Sequence, residues 1–276
     1  MRVTPRYDGP AVIAIDGPLD DQLVPVTRQR RRFLEMLAGL SDEQWRAATR
    51  CEQWNVQDVA SHLVGVDAFW QWSITSGLAG EPTRVLDNFD PAATPATLIE
   101  PLRALPPTEV LAQLVASMDG FLDTLASLDD EGWATPVETP AGYVPARLLA
   151  HHALWDCWVH ERDIALPLGL DRWLEADEVA ASMRYAAALS PGFLINDGPG
   201  CEGRFGVDAR GPDTQFWLDI DGTTVRVHDG AAPAGTPCLR GDAVALLEAL
   251  SIRAPLPADA PREWQDLIAG LSTAFA

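Results

Sequence analysis

The chain has 276 residues, with 20 basic against 40 acidic side chains and a formal charge of −20. That balance argues against a nucleic-acid partner, which needs a basic face toward phosphates, while the length suffices for one large core or two smaller ones. No apolar run approaches the roughly 20 residues that span a bilayer. The N-terminus lacks the apolar core of a secretory signal, so a cytoplasmic protein without a membrane partner is expected.

The four cysteines, Cys51, Cys157, Cys201 and Cys238, form no Cys-x-x-Cys pair and are expected as reduced thiols. Lysine is absent and every basic residue is arginine, the codon bias of a G+C-rich genome.

A helical pattern runs from about Asp20 to Leu40 (Leu23, Val26, Phe33, Leu34, Leu37), and its Arg28 to Arg32 cluster reads as a solvated face. Ser41-Asp42-Glu43-Gln44 has capping-box form for a short helix. Asn55 can cap a second helix, with Asp58 favouring its positive end. That helix carries Val59, Leu63, Val66, Trp70 and Ile74 and stops at Gly77. Residues 78–105, rich in Pro, Thr and Asp, read as a long connection. Thr108 is expected to cap a third helix, and Pro145 to open a fourth that runs to Pro167-Leu168-Gly169. A fifth spans Glu175 to Leu189.

Leu37-Ala-Gly-Leu-Ser-Asp-Glu-Gln-Trp45 recurs as Leu125-Ala-Ser-Leu-Asp-Asp-Glu-Gly-Trp133, each copy ending a long helix and preceding one that bears histidine. This echo fits a two-plus-two helical bundle. After Pro191-Gly192 the texture changes. Residues 203–210, 214–220 and 223–228 alternate apolar and polar, as half-buried strands do, with Asp221-Gly222 as a hairpin signal. Helices over Asp242 to Ile252 and about Arg262 to Phe275 complete a small α+β domain. The expected division is a metal-binding bundle over 15–194 and an α+β domain over 195–276, with the active cleft between them.

Four of the five histidines lie on the second and fourth helices. His152, Asp156 and His160 stand at i, i+4 and i+8 and so share one face. Adding His62 gives two imidazoles and one carboxylate, a set suited to a catalytic metal with open positions. The spacing is equally that of ordinary buried histidines. His151 is turned about 100° from His152 and reads as a surface or supporting group. His228 reads as ordinary and partnerless. No cysteine looks placed to join the set: Cys51 is far from His62 along the chain, and Cys157 is rotated away from Asp156.

The stretch Cys51-Glu-Gln-Trp54-Asn-Val-Gln-Asp58-Val-Ala-Ser-His62-Leu63 resembles the Gly-Trp-Thr-Val-x-Asp-Leu-x-x-His-Leu signature of the DinB-like, mycothiol-dependent maleylpyruvate isomerase family. Trp155-Asp156-Cys-Trp-Val-His160-Glu-Arg-Asp163 looks like that family's Glu-x-x-x-His-x-x-Asp segment. The stretch from Cys238 to Arg253 is similar to its small sterol-carrier-like domain. The resemblance implies a DinB-like four-helix bundle plus an α+β domain. It also implies a divalent metal, zinc by preference, on His62, Asp156 and His160, with mycothiol as thiol and a small electrophilic molecule as substrate. Arg240 and Arg253 are the candidates to hold a substrate carboxylate. The reaction is then a cis–trans isomerisation or an S-transfer. A thiol-free metalloenzyme (hydrolase or cyclase) and a non-catalytic metal-binding module are the alternatives. Asp156 stands where the family has Glu, one methylene shorter, and His152 is the reserve ligand.

Overall fold

The structure, a computed structural model, describes residues 3–16, 23–87, 89–91, 93–171, 174–198 and 200–275, with side chains up to 269. A short strand β1 (Ile13–Ile15) precedes helices α1 (Leu23–Ala38), α2 (Asp42–Trp45) and α3 (Val56–Leu78). Then come α4 (Ala93–Ile99), α5 (Pro107–Ala126), α6 (Asp130–Ala134), a hairpin of β2 (Pro136–Thr139) and β3 (Gly142–Pro145), and α7 (Ala146–Leu168). Helix α8 (Ala176–Asp197) leads into β4 (Glu202–Arg210), β5 (Thr214–Asp221), β6 (Val225–Asp229), β7 (Cys238–Asp242), α9 (Ala243–Leu250) and α10 (Arg262–Phe275).

Helices α1, α3, α5 and α7 pack into a four-helix bundle, α1 and α3 each touching both α5 and α7. Its interior follows the apolar spacing of the sequence: Phe33 and Leu37 from α1, Val59 and Leu63 from α3, Leu114 and Met118 from α5, and Ile164 from α7 are buried together. The two echoed segments fold alike. Ser41 caps α2 by accepting from the Gln44 amide within a capping box, and Asp129 caps α6 by accepting from the Gly132 amide. Four strands of the C-terminal region and β1 from near the N-terminus form a five-stranded sheet in the order β1-β6-β5-β4-β7, parallel at its two outer pairings and antiparallel within. The chain is therefore a helical region followed by a mixed α+β sheet region.

Several expectations differ from the fold. The Asp20 start of the first helix lies outside the described residues. Helix α5 begins two residues earlier than a Thr108 cap implies, with Pro106 at its cap position and no side-chain cap. The 78–105 connection contains α4 and a short 3-10 turn, Glu100–Leu102. Helix α8 continues through Pro191 to Asp197. A proline inside a helix removes one backbone hydrogen bond, but here Gly192 lets Ile13 of β1 approach closely, a Cβ there meeting its side chain at 3.2 Å. The Pro-Gly pair marks a crossing point of strand over helix.

The arginine cluster is mostly not solvated either. Arg30 is fully buried on Asp67 at 2.8 Å, and Arg32 ion-pairs with Glu161 and Glu178, while Arg31 reaches Asp119 at the surface. Among the described residues no helix is long and apolar enough to cross a membrane.

Candidate metal centre

Helix α3 is started by a reciprocal cap: Asn55 accepts from the Asp58 amide, and Asp58 accepts from the Asn55 amide. Two turns on, His62 points into the bundle, 7% exposed. It faces α7, where His152, Asp156 and His160 share one face. His62 Nε2 lies 3.7 Å from Asp156 Oδ2, His160 Nε2 lies 3.6 Å from Asp156 Oδ1, and the two imidazole centroids are 5.0 Å apart. These distances exceed hydrogen-bond range, so the three side chains converge without bonding to one another. Trp54 closes one side, its ring 5.3 Å from His62 and 6.4 Å from His160.

Behind His160 sits a second layer. Its Nδ1 is 3.2 Å from Asp163 Oδ2, and Asp163 is fully buried. Asp163 also accepts from Arg253, Nε at 3.0 Å and Nη2 at 2.9 Å, and from Arg50 Nε at 3.0 Å. The Cys51 thiol donates to Asp163 at 3.1 Å and lies 3.7 Å from His160 Nδ1. Thus Cys51, distant in sequence, stands against the back of His160 rather than among the three converging groups.

The electrostatics follow from this layering. Burial pushes the Asp156 carboxyl up, but His160 and His62 outweigh it and hold Asp156 well below the usual carboxylate range. Burial would lower His160, yet Asp156, Cys51 and Asp163 carry it well above its ordinary value. Burial dominates at His62 and lowers it despite Asp156. Asp163 is buried as well, and His160 and Arg253 keep it ionised. One imidazole of the pair is therefore neutral and the other protonated, the extra proton standing where positive charge is favoured.

Of the other expected residues, Arg253 reaches the site, but its guanidinium fork is closed on Asp163. Arg240 stands on β7 with its side chain 70% exposed, and its charged partner is Asp208 at 3.9 Å. His152 Nδ1 is engaged by the Tyr185 hydroxyl at 2.6 Å. His151 is buried, not at the surface, with Nδ1 3.0 Å from the Arg147 carbonyl oxygen. His228 has partners after all, Asp16 at 3.2 Å and the stacked ring of Trp217. Asp163 stands in the Glu-x-x-x-His-x-x-Asp-like segment of the sequence, at i+3 from His160, but its place behind His160 was not read from it. Arg50 and Tyr185 carry no local signal.

The residues fit a divalent cation. Two imidazole nitrogens and a carboxylate oxygen lie within 4.8 Å of one another. Asp156 Oδ2 and His62 Nδ1 are buried without a hydrogen-bond partner. Asp163 fixes the His160 tautomer that leaves Nε2 as a ligand, the support that metal-bound histidines usually have. Two histidines and one carboxylate in a helical-bundle core are the donor set of a catalytic rather than a structural metal site.

A bundle with this cluster, followed by a mixed sheet, defines a class of two-part helical proteins. Residues 26–165, about half of the chain, match the family model described as mycothiol maleylpyruvate isomerase N-terminal domain, and the chain belongs to that family. Two solved structures of the mycothiol-dependent maleylpyruvate isomerase, one a histidine-to-alanine mutant, superpose with a TM-score of 0.60 at 15% identity, covering 87% of this chain and 91% of theirs. A search of curated proteins finds no match.

Proposed function

We propose that this chain is a metal-dependent enzyme that uses a low-molecular-weight thiol, mycothiol by family, on a small electrophilic substrate. The favoured reaction is cis–trans isomerisation of the maleylpyruvate type, with S-transfer from the same site as the variant outcome. The observation that carries the reading is the convergence of His62 Nε2, Asp156 and His160 Nε2 with Asp163 behind His160. A divalent ion held there, zinc by preference, would supply the positive charge that ionises a thiol at neutral pH.

The chain's own groups prepare for that. Burial keeps His62 neutral and its nitrogen free to donate a lone pair. Asp156 stays charged. His160 must release a proton before it can ligate, and Asp163 then holds the Nδ1 hydrogen so that Nε2 is the free donor. Proton and metal thus compete at His160. Trp54 lies against both imidazoles and limits access of water. Arg253, backed by Asp163, stands at the edge of the site as the cationic group nearest His160's carboxylate partner.

Metal analysis and cobalt substitution of the full chain test this reading. About one divalent ion per chain is expected, lost in His160→Ala, and added thiol should bring a sulfur-to-metal band into the cobalt spectrum. Metal retained by both His62→Ala and His160→Ala would dismiss the site. A cobalt spectrum indifferent to thiols, with full activity in their absence, would instead favour a thiol-free metalloenzyme.

A further inference from the structure

Beside the three converging groups, one polar pair on the same helix faces remains unused. His62 and Trp70 lie two turns apart on α3, and Asp156 and His152 lie one turn apart on α7. Where His62 faces Asp156, Trp70 faces His152, with ring centroids 5.0 Å apart. His152 is enclosed by aromatic rings, Trp155 at 5.7 Å and Tyr185 at 5.2 Å completing the box. Among the described residues its hydrogen bond is the 2.6 Å contact from Nδ1 to the Tyr185 hydroxyl, and Tyr185 is 2% exposed.

The direction of that bond follows from what each group can do. Burial drives His152 down to about 4, so its ring is neutral at physiological pH and carries one hydrogen. Burial likewise pushes the Tyr185 phenol well above its ordinary value, so the phenol keeps its hydrogen. If Nδ1 donated to the phenol oxygen, the phenolic hydrogen would be left buried without an acceptor, at a cost of about 1–3 kcal/mol. The hydroxyl therefore donates to Nδ1. The ring hydrogen is then on Nε2, a neutral donor one turn along the α7 face from Asp156.

We propose that His152 is a further catalytic residue, an uncharged N–H donor to the substrate carbonyl oxygen, with Tyr185 as the positioning residue that fixes its tautomer. The inference rests on the isomerase reading above. When a nucleophile adds to a carbon conjugated with a carbonyl, the π electron pair moves onto the carbonyl oxygen. Expelling the nucleophile returns the pair and restores the double bond after rotation. No oxidant or reductant is needed, and His152 gives a hydrogen bond, not a proton. A donor placed before the reaction at the oxygen that gains charge stabilises that charge most where water is excluded. A neutral imidazole suits this role because it does not compete with the site's ligands for the carboxylate.

The test uses the full zinc-loaded chain, with maleylpyruvate as substrate and mycothiol as thiol, and follows the histidine ring nitrogens by NMR. Wild type should show His152 as the Nε2–H tautomer, and Tyr185→Phe, which keeps the ring packing, should admit the Nδ1–H form. His152→Leu should lower kcat by about 10²–10³-fold with little change in KM, the range for losing one such donor. His152→Gln, which keeps an N–H donor, should restore part of it. Bound metal should stay at about one per chain in all three variants. An Nδ1–H tautomer in wild type, an unchanged kcat in His152→Leu, or loss of metal from His152→Gln would each overturn the proposal. A wild type inactive toward maleylpyruvate would count against the isomerase reading. The catalytic role of His152 would fall with it, whereas an active wild type with an unchanged kcat in His152→Leu would overturn that role alone.

Discussion

Within ten residues of α7, burial and neighbouring charge set histidines in opposite states. His151 has its Nδ1 against the Arg147 carbonyl, and burial, helped by the charges of Arg184 and Arg147, lowers it to about 4. His160 is equally buried, but the carboxylates beside it keep it protonated. The consequence for stability has a definite sign. Between about pH 6.5 and 4 the unfolded chain protonates His151 and the folded chain does not, so stability falls as pH falls through that window. His160 contributes no slope there, because both states hold its proton. His151→Gln keeps a group that can donate to the Arg147 carbonyl and removes the titration. Urea unfolding at pH 7 and pH 4.5 should therefore show a loss in wild type that exceeds the loss in His151→Gln by about 2 kcal/mol. Equal losses in the two proteins would show that His151 is protonated in the fold. The sequence showed which residues could meet, since His152, Asp156 and His160 share a face by spacing alone. It could not show which of them bonds elsewhere: Tyr185, which claims His152, is 33 positions away.

Elements were legible where their pattern was long and failed where it was short. The four bundle helices follow their apolar periodicity, and β4, β5 and β6 their alternation. Strand β1 has three residues and β7 a single buried apolar one, Leu239, so neither carries a period to read. The hairpin of β2 and β3 is equally hidden, yet it bears on α3. Near the end of that helix a Cβ on Gly77 would meet the Pro136 carbonyl oxygen at 2.5 Å and the Thr135 side chain at 2.9 Å. Glycine to alanine in a helix is normally favourable by about 1 kcal/mol. Here the backbone carbonyl cannot give way cheaply, and overpacking typically costs about 1–3 kcal/mol. Gly77→Ala should therefore melt below wild type in a thermal scan. A higher melting temperature would mean that the hairpin moves freely away from α3.

At the scale of the molecule, the fold draws much of its positive charge inward, although the chain is strongly acidic. Arg50 bridges Asp163 and Glu248, Arg162 pairs with Glu248, and Arg253 pairs with Asp163. This lattice joins α7 to the segment before α3, to α9 and to the residues after α9. It ties the C-terminal region to the helix that presents Asp156 and His160. Its partners lie 86 to 198 positions apart, so no local pattern announces them. Glu248 is the point at which the lattice can be opened without touching Asp163. It is 7% exposed, as is Arg162. Glu248→Gln keeps the shape and leaves Arg162 without its carboxylate while Arg50 keeps Asp163, and breaking a buried pair from one side costs about 3–5 kcal/mol. At about 2–4 °C per kcal/mol for a chain of this order of size, the melting temperature should fall by roughly 6–20 °C. Asp163 keeps Arg253 and His160, so bound metal should remain at about one per chain. An unchanged melting temperature would show that the seam contributes no net stability. Metal loss in this variant would show that the hold on His160 extends through Arg50 to α9.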